Sequence, residues 1–215
     1  MKQFFLFLGL VFICQATFSQ YKIGIRGGLN IASQKQTLGY GENVVRKGET
    51  IASFHIGAIG EIKATRWLFI QPSVLLNGKG ADFKGLRSDG SGYYTSTTKL
   101  RPFYLELPIL LVAKTKLPGS DIKIFGGAGP SFGYGIFGKV KTEMSSSAVF
   151  YKGSENRFDF GIDITGGVEL PSGWQFSGHF IPGIANVSSD QGPEPWEAKN
   201  KVVAVSIGYF FSKNR

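Results

Sequence analysis

The sequence contains few of the residues that build covalent cross-links or metal sites. Its 215 residues include one cysteine, Cys14, and two histidines, His55 and His179. This count excludes a disulfide scaffold and a cysteine-ligated metal domain. The sequence also lacks a phosphate-cradling loop, a metal-ligand spacing of His or Cys, and a pair of carboxylates that would flank a cleft. We therefore expect neither a cofactor nor a metal.

Charged residues are scarce, at 18% of the chain, whereas hydrophobic residues reach 42%. This composition excludes an intrinsically disordered protein, and the length corresponds to one domain. The 24 Lys and Arg residues outnumber the 15 Asp and Glu residues, for a net charge of +9. Because the positive charge is scattered rather than gathered in one stripe, we do not expect nucleic acid as a partner.

Long hydrophobic runs are missing beyond residue 20, which excludes membrane-spanning helices there. The first segment has a short cationic start, an apolar run over residues 4–14 and a polar exit over residues 15–20. This order is typical of a secretory signal peptide. We predict a signal peptide over residues 1–19, with a cut after residue 20 as the alternative, and one domain over residues 20–215.

In the remaining chain, large apolar residues alternate with small or polar ones, which is the period of a β-strand with two different faces. From Val203 to Phe211 every second residue is large and apolar, and Ala204, Ser206 and Gly208 lie between them. The same period predicts eight strands in all. They cover residues 21–31, 51–64, 66–79, 99–114, 121–136, 157–170, 173–186 and 202–211.

The connections between these strands alternate between short and long. Three short turns fall at residues 64–66, 116–121 and 171–173, and four long polar connections fall at about 33–50, 80–98, 137–156 and 187–199. Even strand number and alternating connections predict an all-β fold: an eight-stranded antiparallel up-and-down transmembrane β-barrel with short periplasmic turns and long external loops. Such a barrel would lie in the outer membrane of a Gram-negative cell.

The direction of the alternation separates a membrane barrel from a soluble one, in which apolar residues point inward. Charges on the polar phase are too numerous for a dry cavity: Arg26, Glu61, Lys63, Glu106, Lys114, Lys123, Asp159, Asp163 and Glu169. Aromatic residues gather at both strand ends, as the two girdles of a membrane barrel do: Tyr21, Trp67, Trp174, Tyr209 and Phe211 at one end, and Phe54, Phe103, Phe132, Tyr134 and Phe158 at the other.

Several short motifs resemble one family. They are GIRGGLN at residues 24–30, YLELPILL at 104–111, GGAGPS at 126–131, DFG at 159–161 and GGVEL at 166–170. In this order they resemble the small outer-membrane β-barrels of Bacteroidota, the porin-family or PorT-like proteins. The resemblance implies the barrel fold and the outer membrane. It also implies insertion by the outer-membrane assembly machinery, which recognises a final aromatic strand. The secretion-related role of one family member is not implied for this chain.

An eight-stranded barrel has an interior that side chains can fill, whereas open aqueous channels need about 16–18 strands. We therefore predict a filled polar lumen in which Arg26, Glu106, Asp163 and His179 form a central charge network. The alternative is a narrow path for ions or small solutes along these charges.

Catalysis would need a nucleophile beside a base, and His55 and His179 are the candidate bases. Their positions along the strands place them at different heights. Ser53, Ser73, Ser96 and Ser177 are candidate neighbours. We expect both histidines to be hydrogen-bonded within the lumen and predict no catalytic residue. A membrane-embedded lipid-modifying enzyme remains the second alternative.

The external loops are the remaining candidates for function, because binding residues tend to lie on loops held by a rigid scaffold. Tyr93, Tyr94 and Trp196 are possible contact residues, although Trp196 could equally pack on the barrel rim. Outer-membrane lipid and lipopolysaccharide are the expected surroundings, and an unknown protein partner could bind the loops. The predicted periplasmic lysines are expected to reach the membrane interface: Lys22, Lys63, Lys114 and Lys123.

Overall fold

The computed structural model describes residues 21–40, 42–88, 93–143, 145–150, 156–188 and 196–211. The predicted signal peptide and its cleavage site lie outside the described residues. The strands are β1 Tyr21–Tyr40, β2 Glu42–Lys47, β3 Ile51–Lys63, β4 Leu68–Gly78, β5 Ala81–Ser88, β6 Tyr93–Lys116, β7 Lys123–Lys141, β8 Ser146–Ala148, β9 Phe158–Glu169, β10 Trp174–Pro182 and β11 Trp196–Phe211. The described part contains no helix long and apolar enough to cross a membrane.

Eight of the strands form a closed antiparallel ring. Its order is β1, β3, β4, β6, β7, β9, β10 and β11, and β11 pairs with β1 to close it. Closure leaves no sheet edge exposed to lipid, where unpaired peptide groups would lose their hydrogen bonds. The predicted eight-stranded fold is therefore confirmed.

The short turns lie at one end of the ring, together with Tyr21 at the start of β1 and Phe211 at the end of β11. Residues 64–67, 117–122 and 170–173 connect the strands there. In an outer-membrane barrel this is the periplasmic end, and the opposite end is external.

Three of the four long connections contain paired strands where loops were predicted. At the external end β1 continues to Tyr40 and pairs with β2, β5 pairs with the first part of β6, and β7 continues to Lys141 and pairs with β8. These segments carry few large apolar residues, so hydrophobic alternation marks them only weakly, although β5 buries Ala81 and Phe83 on one face. Their backbone groups still form ladder hydrogen bonds. β10 is shorter than predicted and ends at Pro182, which has no N–H to continue the ladder.

The apolar phase of the strands faces outward, as a membrane barrel requires. Ile25, Leu29, Ile56, Leu111 and Val205 are each more than half exposed, and all ten predicted girdle aromatics are exposed or half-exposed. The predicted inward charges are buried, apart from Lys123, which is half-buried, and Lys63, which is exposed. Lys63 was predicted to point into the lumen, and this was wrong. It is the last residue of β3, where the barrel wall ends.

A charge on the outward face should therefore destabilise the barrel according to its depth. Ile207 is 52% exposed and lies midway along the apolar stretch of β11. Ile207→Arg is expected to lower the free energy of unfolding by about 2–4 kcal/mol, because the charge enters hydrocarbon. Ser33→Arg, on the outward face of β1 where the apolar stretch has ended, is the control and should cost about 0–1 kcal/mol. Urea unfolding in bilayers measures both, and equal small effects would contradict the lipid-facing orientation.

Candidate functional site

The external half of the lumen is crossed by a continuous chain of polar side chains, which we call the polar belt. Its members in order are Ser206, His55, Asn30, Asn77, Glu106, Lys79, Asp159, Asn200 and Gln34. They come from β11, β3, β1, β4, β6 and β9 and from the connection after β4. The belt therefore links strands on opposite sides of the barrel through its interior.

An ion-paired lysine forms the charged part of the belt. Lys79 Nζ contacts Glu106 and lies 2.8 Å from Asp159 Oδ2. All three side chains are buried, and Asn77 donates to Glu106 at 2.5 Å while Asn200 donates to Asp159 at 3.0 Å. Because buried charges need both an opposite charge and hydrogen bonds, this arrangement satisfies the main requirement for keeping them inside.

His55 belongs to the neutral part of the belt. Its Nδ1 lies 2.7 Å from Asn30 Oδ1 and its Nε2 lies 2.8 Å from Ser206 Oγ. A proton on Nδ1 satisfies both contacts, since the amide oxygen can only accept and the hydroxyl can donate to Nε2. A Cβ on Gly28 would lie 2.6 Å from the His55 ring, so the glycine makes room for the histidine.

A second hydrogen-bonded group lies on β9 and β10. His179 Nδ1 is 3.0 Å from Asp163 Oδ1, and His179 Nε2 is 3.0 Å from Ser177 Oγ. This order of carboxylate, imidazole and hydroxyl matches that of hydrolytic triads. Ser177 is nevertheless 8% exposed, and the cavity beside His179 has a volume of about 10 Å³. That is room for about one water molecule, whereas Ser177 also lines a groove on the outer face of the barrel.

Arg26 lies in the middle of the lumen and is 2% exposed. Its Nη2 donates to Gln175 Oε1 at 3.0 Å, while Nε and Nη1 have no hydrogen-bond partner among the described residues. The predicted network residues Arg26, Glu106, Asp163 and His179 all line the same small cavity. The hydrogen bonds divide them, however: Glu106 belongs to the belt, and His179 with Asp163 forms the second group. His55 lines this cavity too, despite the different height predicted for it.

The periplasmic half of the lumen is closed by a cluster around Lys114. Its ammonium contacts Glu61 and Glu169 and lies 5.1–5.6 Å from the ring centres of Phe69, Phe125 and Phe210. The side chain is 1% exposed, so the predicted reach of Lys114 to the membrane interface was wrong. Its position on the inward phase of β6 decides this, because an inward side chain cannot cross the barrel wall. Lys22 and Lys123 also bind Glu169, at 3.0 and 3.5 Å.

At the external mouth, Val149 and Phe150, which follow β8, lie inside the barrel. Phe150 is buried and packs edge-on against Tyr104, with ring centres 5.7 Å apart. A Cβ on Gly135 would lie 2.2 Å from the Phe150 ring, so the ring can enter only because residue 135 has no side chain. Arg157 donates to the Phe150 carbonyl at 2.9 Å and fixes the position of this residue. Phe150 therefore covers the lumen from outside.

Sequence reasoning missed several members of the lumen site: Lys79, Asn77, Asn30, Gln175 and Ser206. Asn30, Gln175 and Ser206 continue the inward phase of strands that carry recognised inward residues, for example Asn30 four residues after Arg26. Asn77 and Lys79 continue the inward phase of β4, on which no inward charge was predicted. The alternation could therefore have found them, although it says nothing about which of them meet.

The three predicted loop contacts all lie in strands. Tyr93 and Tyr94 begin β6, and Tyr93 is 84% exposed. Trp196 begins β11, and the predictions for its side chain fall outside what the structure describes. The loop assignment was wrong because the start of β6 is polar and carries no hydrophobic alternation, although its backbone pairs with β5.

A scan against protein-family models decides the family. The model described as outer membrane protein beta-barrel domain matches residues 15–189. The chain belongs to this family. The protein is therefore an outer-membrane β-barrel, as its fold and outward apolar face already indicated.

Several solved structures are similar to this outer-membrane barrel. The outer membrane protein AlkL, solved in lipid bilayers, has 14% sequence identity and a TM-score of 0.45, over 91% of this chain and 92% of AlkL. Ail, the attachment invasion locus protein of Yersinia pestis, has 11% identity and a TM-score of 0.43, over 89% and 99% of the two chains. The E. coli outer membrane protein W has 15% identity and a TM-score of 0.41, over 87% and 97%. A search of curated proteins finds no match.

The Lys114 cluster predicts a strong dependence on one buried cation. Lys114→Met leaves two buried carboxylates without their central partner and should lower the free energy of unfolding by about 3–5 kcal/mol. The matched control is Lys116→Met, at the lysine two residues after Lys114. It removes an exposed ion pair with Asp121 and should lower the free energy of unfolding by at most about 1 kcal/mol. Adding Glu61→Gln and Glu169→Gln to Lys114→Met should restore much of the loss. If Lys114→Met and the control cost the same in denaturant unfolding, the cluster is hydrated rather than buried.

Proposed function

We propose that this outer-membrane barrel is closed to solutes and acts as a structural or interaction protein through its external end. The observation that carries the proposal is the filled lumen: Phe150, the polar belt and the Lys114 cluster block it at three successive levels. A barrel without a passage contributes its scaffold and its surfaces.

The strand lengths support an external role. A transmembrane β-strand needs about 9–11 residues, whereas β1 has 20 residues and β6 has 24. The additional residues extend beyond the membrane at the external end, where β2, β5 and β8 pair with them. Hydrogen-bonded hairpins hold exposed side chains such as Tyr93 in fixed positions, which favours binding over loose solvation.

We also propose the narrower assignment to the porin-family or PorT-like barrels of Bacteroidota, on the motifs at residues 24–30, 104–111, 126–131, 159–161 and 166–170. Export by a signal peptide over residues 1–19 and insertion by the outer-membrane assembly machinery belong to the same proposal. The name porin is used here for the family and not for an open pore.

The hydrolase alternative has one specific observation in its favour, the Asp163–His179–Ser177 chain. A lipid ester in the outer groove that Ser177 lines would have to reach the Ser177 hydroxyl, which lies on the inward phase of β10 and is hydrogen-bonded to His179. We therefore propose a structural role for these three side chains: their hydrogen bonds hold β9 to β10. The protein is not an enzyme under this proposal.

The closed lumen predicts that the protein does not conduct ions. In planar bilayers the purified barrel should produce no conductance steps, because the described central cavity holds about one water molecule. A porin of about 16 strands is the positive control in the same bilayer. Regular steps from the purified protein would favour the alternative of a narrow ion or small-solute channel.

The external role predicts contacts at Tyr93. A photoreactive benzoyl-phenylalanine in place of Tyr93 should form a discrete protein adduct on irradiation of intact cells, because this side chain is 84% exposed on an external hairpin. The same group in place of Lys116, which is exposed at the periplasmic end, is the control and should not form that adduct. Electrophoresis of purified outer membranes measures both. If Tyr93, Tyr94 and neighbouring exposed positions of this hairpin all fail to cross-link, this hairpin is not a partner-binding surface.

A further inference from the structure

Three lysines lie directly opposite one another on the outward face at the external end. Lys35 on β1 is paired in register with Lys47 on β2 and with Lys199 on β11; we call these three the lysine row. Like charges in directly opposed positions of an antiparallel sheet are destabilising. The arrangement is therefore unfavourable for the isolated protein and calls for an anionic partner.

The neighbouring acids do not neutralise the row. Glu197 lies 2.9 Å from Lys199, while Lys35 and Lys47 form no ion pair with any described residue. Lys201, two residues from Lys199, adds a fourth ammonium on the outward face, 5.2 Å from the Phe180 ring centre. Four cations thus face one described carboxylate, which leaves a local excess of positive charge.

The row lies where the lipid-facing band ends. On β1 the outward side chains are apolar from Tyr21 to Ile31, with a glycine at position 27, and on β11 they are apolar from Phe211 back to Val203. Tyr21 to Ile31 spans about 33 Å along the strand, which at the usual tilt corresponds to the ~25 Å apolar band of an outer-membrane barrel. The next outward residues are Ser33 and Lys201, so the lysine row lies at the level of lipid headgroups.

An apolar groove lies on the same wall, below the row. It has a volume of about 770 Å³ and is lined by Leu29, Val205 and Phe176 beside Gly166 and Gly178, among others. The two glycines are opposite each other in register, and Gly178 is also opposite Val205. A Cβ on either glycine would make ordinary contacts only. Packing within the barrel therefore does not require glycine there, and the groove is space on the lipid side.

The groove is within reach of a lipid whose headgroup lies on the row. Val205 is four residues from Lys201 along β11, which is about 13 Å. An acyl chain descending from a headgroup phosphate at Lys201 would enter the groove at that depth. The row and the groove thus match the two parts of one amphipathic ligand.

Opposed cations on the outward face are a feature of the external end. On the opposite wall Lys99 is paired in register with Lys141, and Arg101 with Lys139. Asp82 is bound to Arg101 at 2.5 Å there, and Glu143 lines a pocket with Lys99 and Lys141. At the periplasmic end Lys22 and Lys123 are paired with Glu169, and Lys116 with Asp121, whereas the exposed Lys63 and Arg66 form no ion pair among the described residues. The opposed outward cations thus lie at the end where the outer leaflet carries its anionic headgroups.

We propose that the lysine row, together with Lys201, binds the phosphate groups of a phosphorylated lipid in the outer leaflet, and that one acyl chain of this lipid lies in the groove. Ammonium groups bind phosphate as point charges, and a bound phosphate relieves the repulsion between the opposed lysines. This inference goes beyond the protein contacts proposed above, because the ligand is the surrounding lipid itself.

The test uses the full mature protein folded in zwitterionic nanodiscs, titrated with bis-phosphorylated lipid A. The triple variant Lys35→Gln, Lys47→Gln, Lys199→Gln should bind this lipid at least roughly tenfold more weakly, since each lysine near an anionic surface contributes to the attraction. The matched control, Lys63→Gln with Arg66→Gln and Lys116→Gln, removes three charges at the periplasmic end and should bind as the wild type does. Equal affinities of the two triple variants would overturn the proposal.

Two further measurements separate the contribution of the phosphate headgroup from that of the acyl chain. Dephosphorylated lipid A should bind weakly and equally to wild type and row variant, and inorganic phosphate alone should not displace bound lipid A. Gly178→Leu fills the groove and should weaken lipid A binding several-fold, whereas Ala58→Leu, also outward but on β3, should not. Displacement by inorganic phosphate would mean an anion site without lipid specificity and would overturn the lipid assignment.

Stability gives an independent readout. In phosphate-free neutral detergent, Lys35→Gln should raise the thermal midpoint, because it removes the central charge of the row, and adding lipid A should stabilise the wild type more than this variant. If neither the higher midpoint of Lys35→Gln nor the larger stabilisation of the wild type by lipid A is observed, the lysine row is only solvated and the proposal is wrong. Cross-linking at Tyr93 tests the protein contacts separately, so failure of one proposal leaves the other standing.

Discussion

Hydrocarbon cannot hydrogen-bond to peptide groups, and this constraint governs the whole molecule. Every strand in the membrane must pair on both sides, so β11 must return to β1 and the sheet must close. Closure in turn creates an inside that is separated from lipid. Ionisable side chains in the membrane segments can point only to this inside, where they are forced into contact with one another.

The interior is filled by charge pairing rather than by apolar packing. Lys79 and Lys114 each sit between two carboxylates, and each pair of carboxylates comes from different strands. A buried cation that holds two acids ties together the segments that carry them and fills the lumen at the same level. The contacts that fill the lumen therefore also stabilise the barrel. Under the proposal of a closed barrel, the function lies at the surfaces.

The surfaces differ at the two ends. The periplasmic end has short turns, and its lysines Lys22, Lys114, Lys116 and Lys123 are paired with acids. The external end has hairpins that continue the strands into water and opposed lysines at the membrane boundary. The proposed protein contacts through the hairpins and the proposed lipid contacts through the lysine row use different residues, so the two proposals are compatible.

The sequence by itself determined the number of strands in the ring, their phase and most of the inward charges, because alternation and short turns are local features. It failed at the external hairpins, such as the one containing Tyr93, because these carry too few large apolar residues for the alternation to mark them. It also could not say that Lys114 would meet Glu61 and Glu169, or that Glu106 would be joined to Lys79 rather than to Arg26. Those contacts depend on the stagger at which the ring closes, with Ile23 opposite Phe211. The tertiary structure decided them, because that stagger is set by all eight strand pairings together and is encoded in none of them separately.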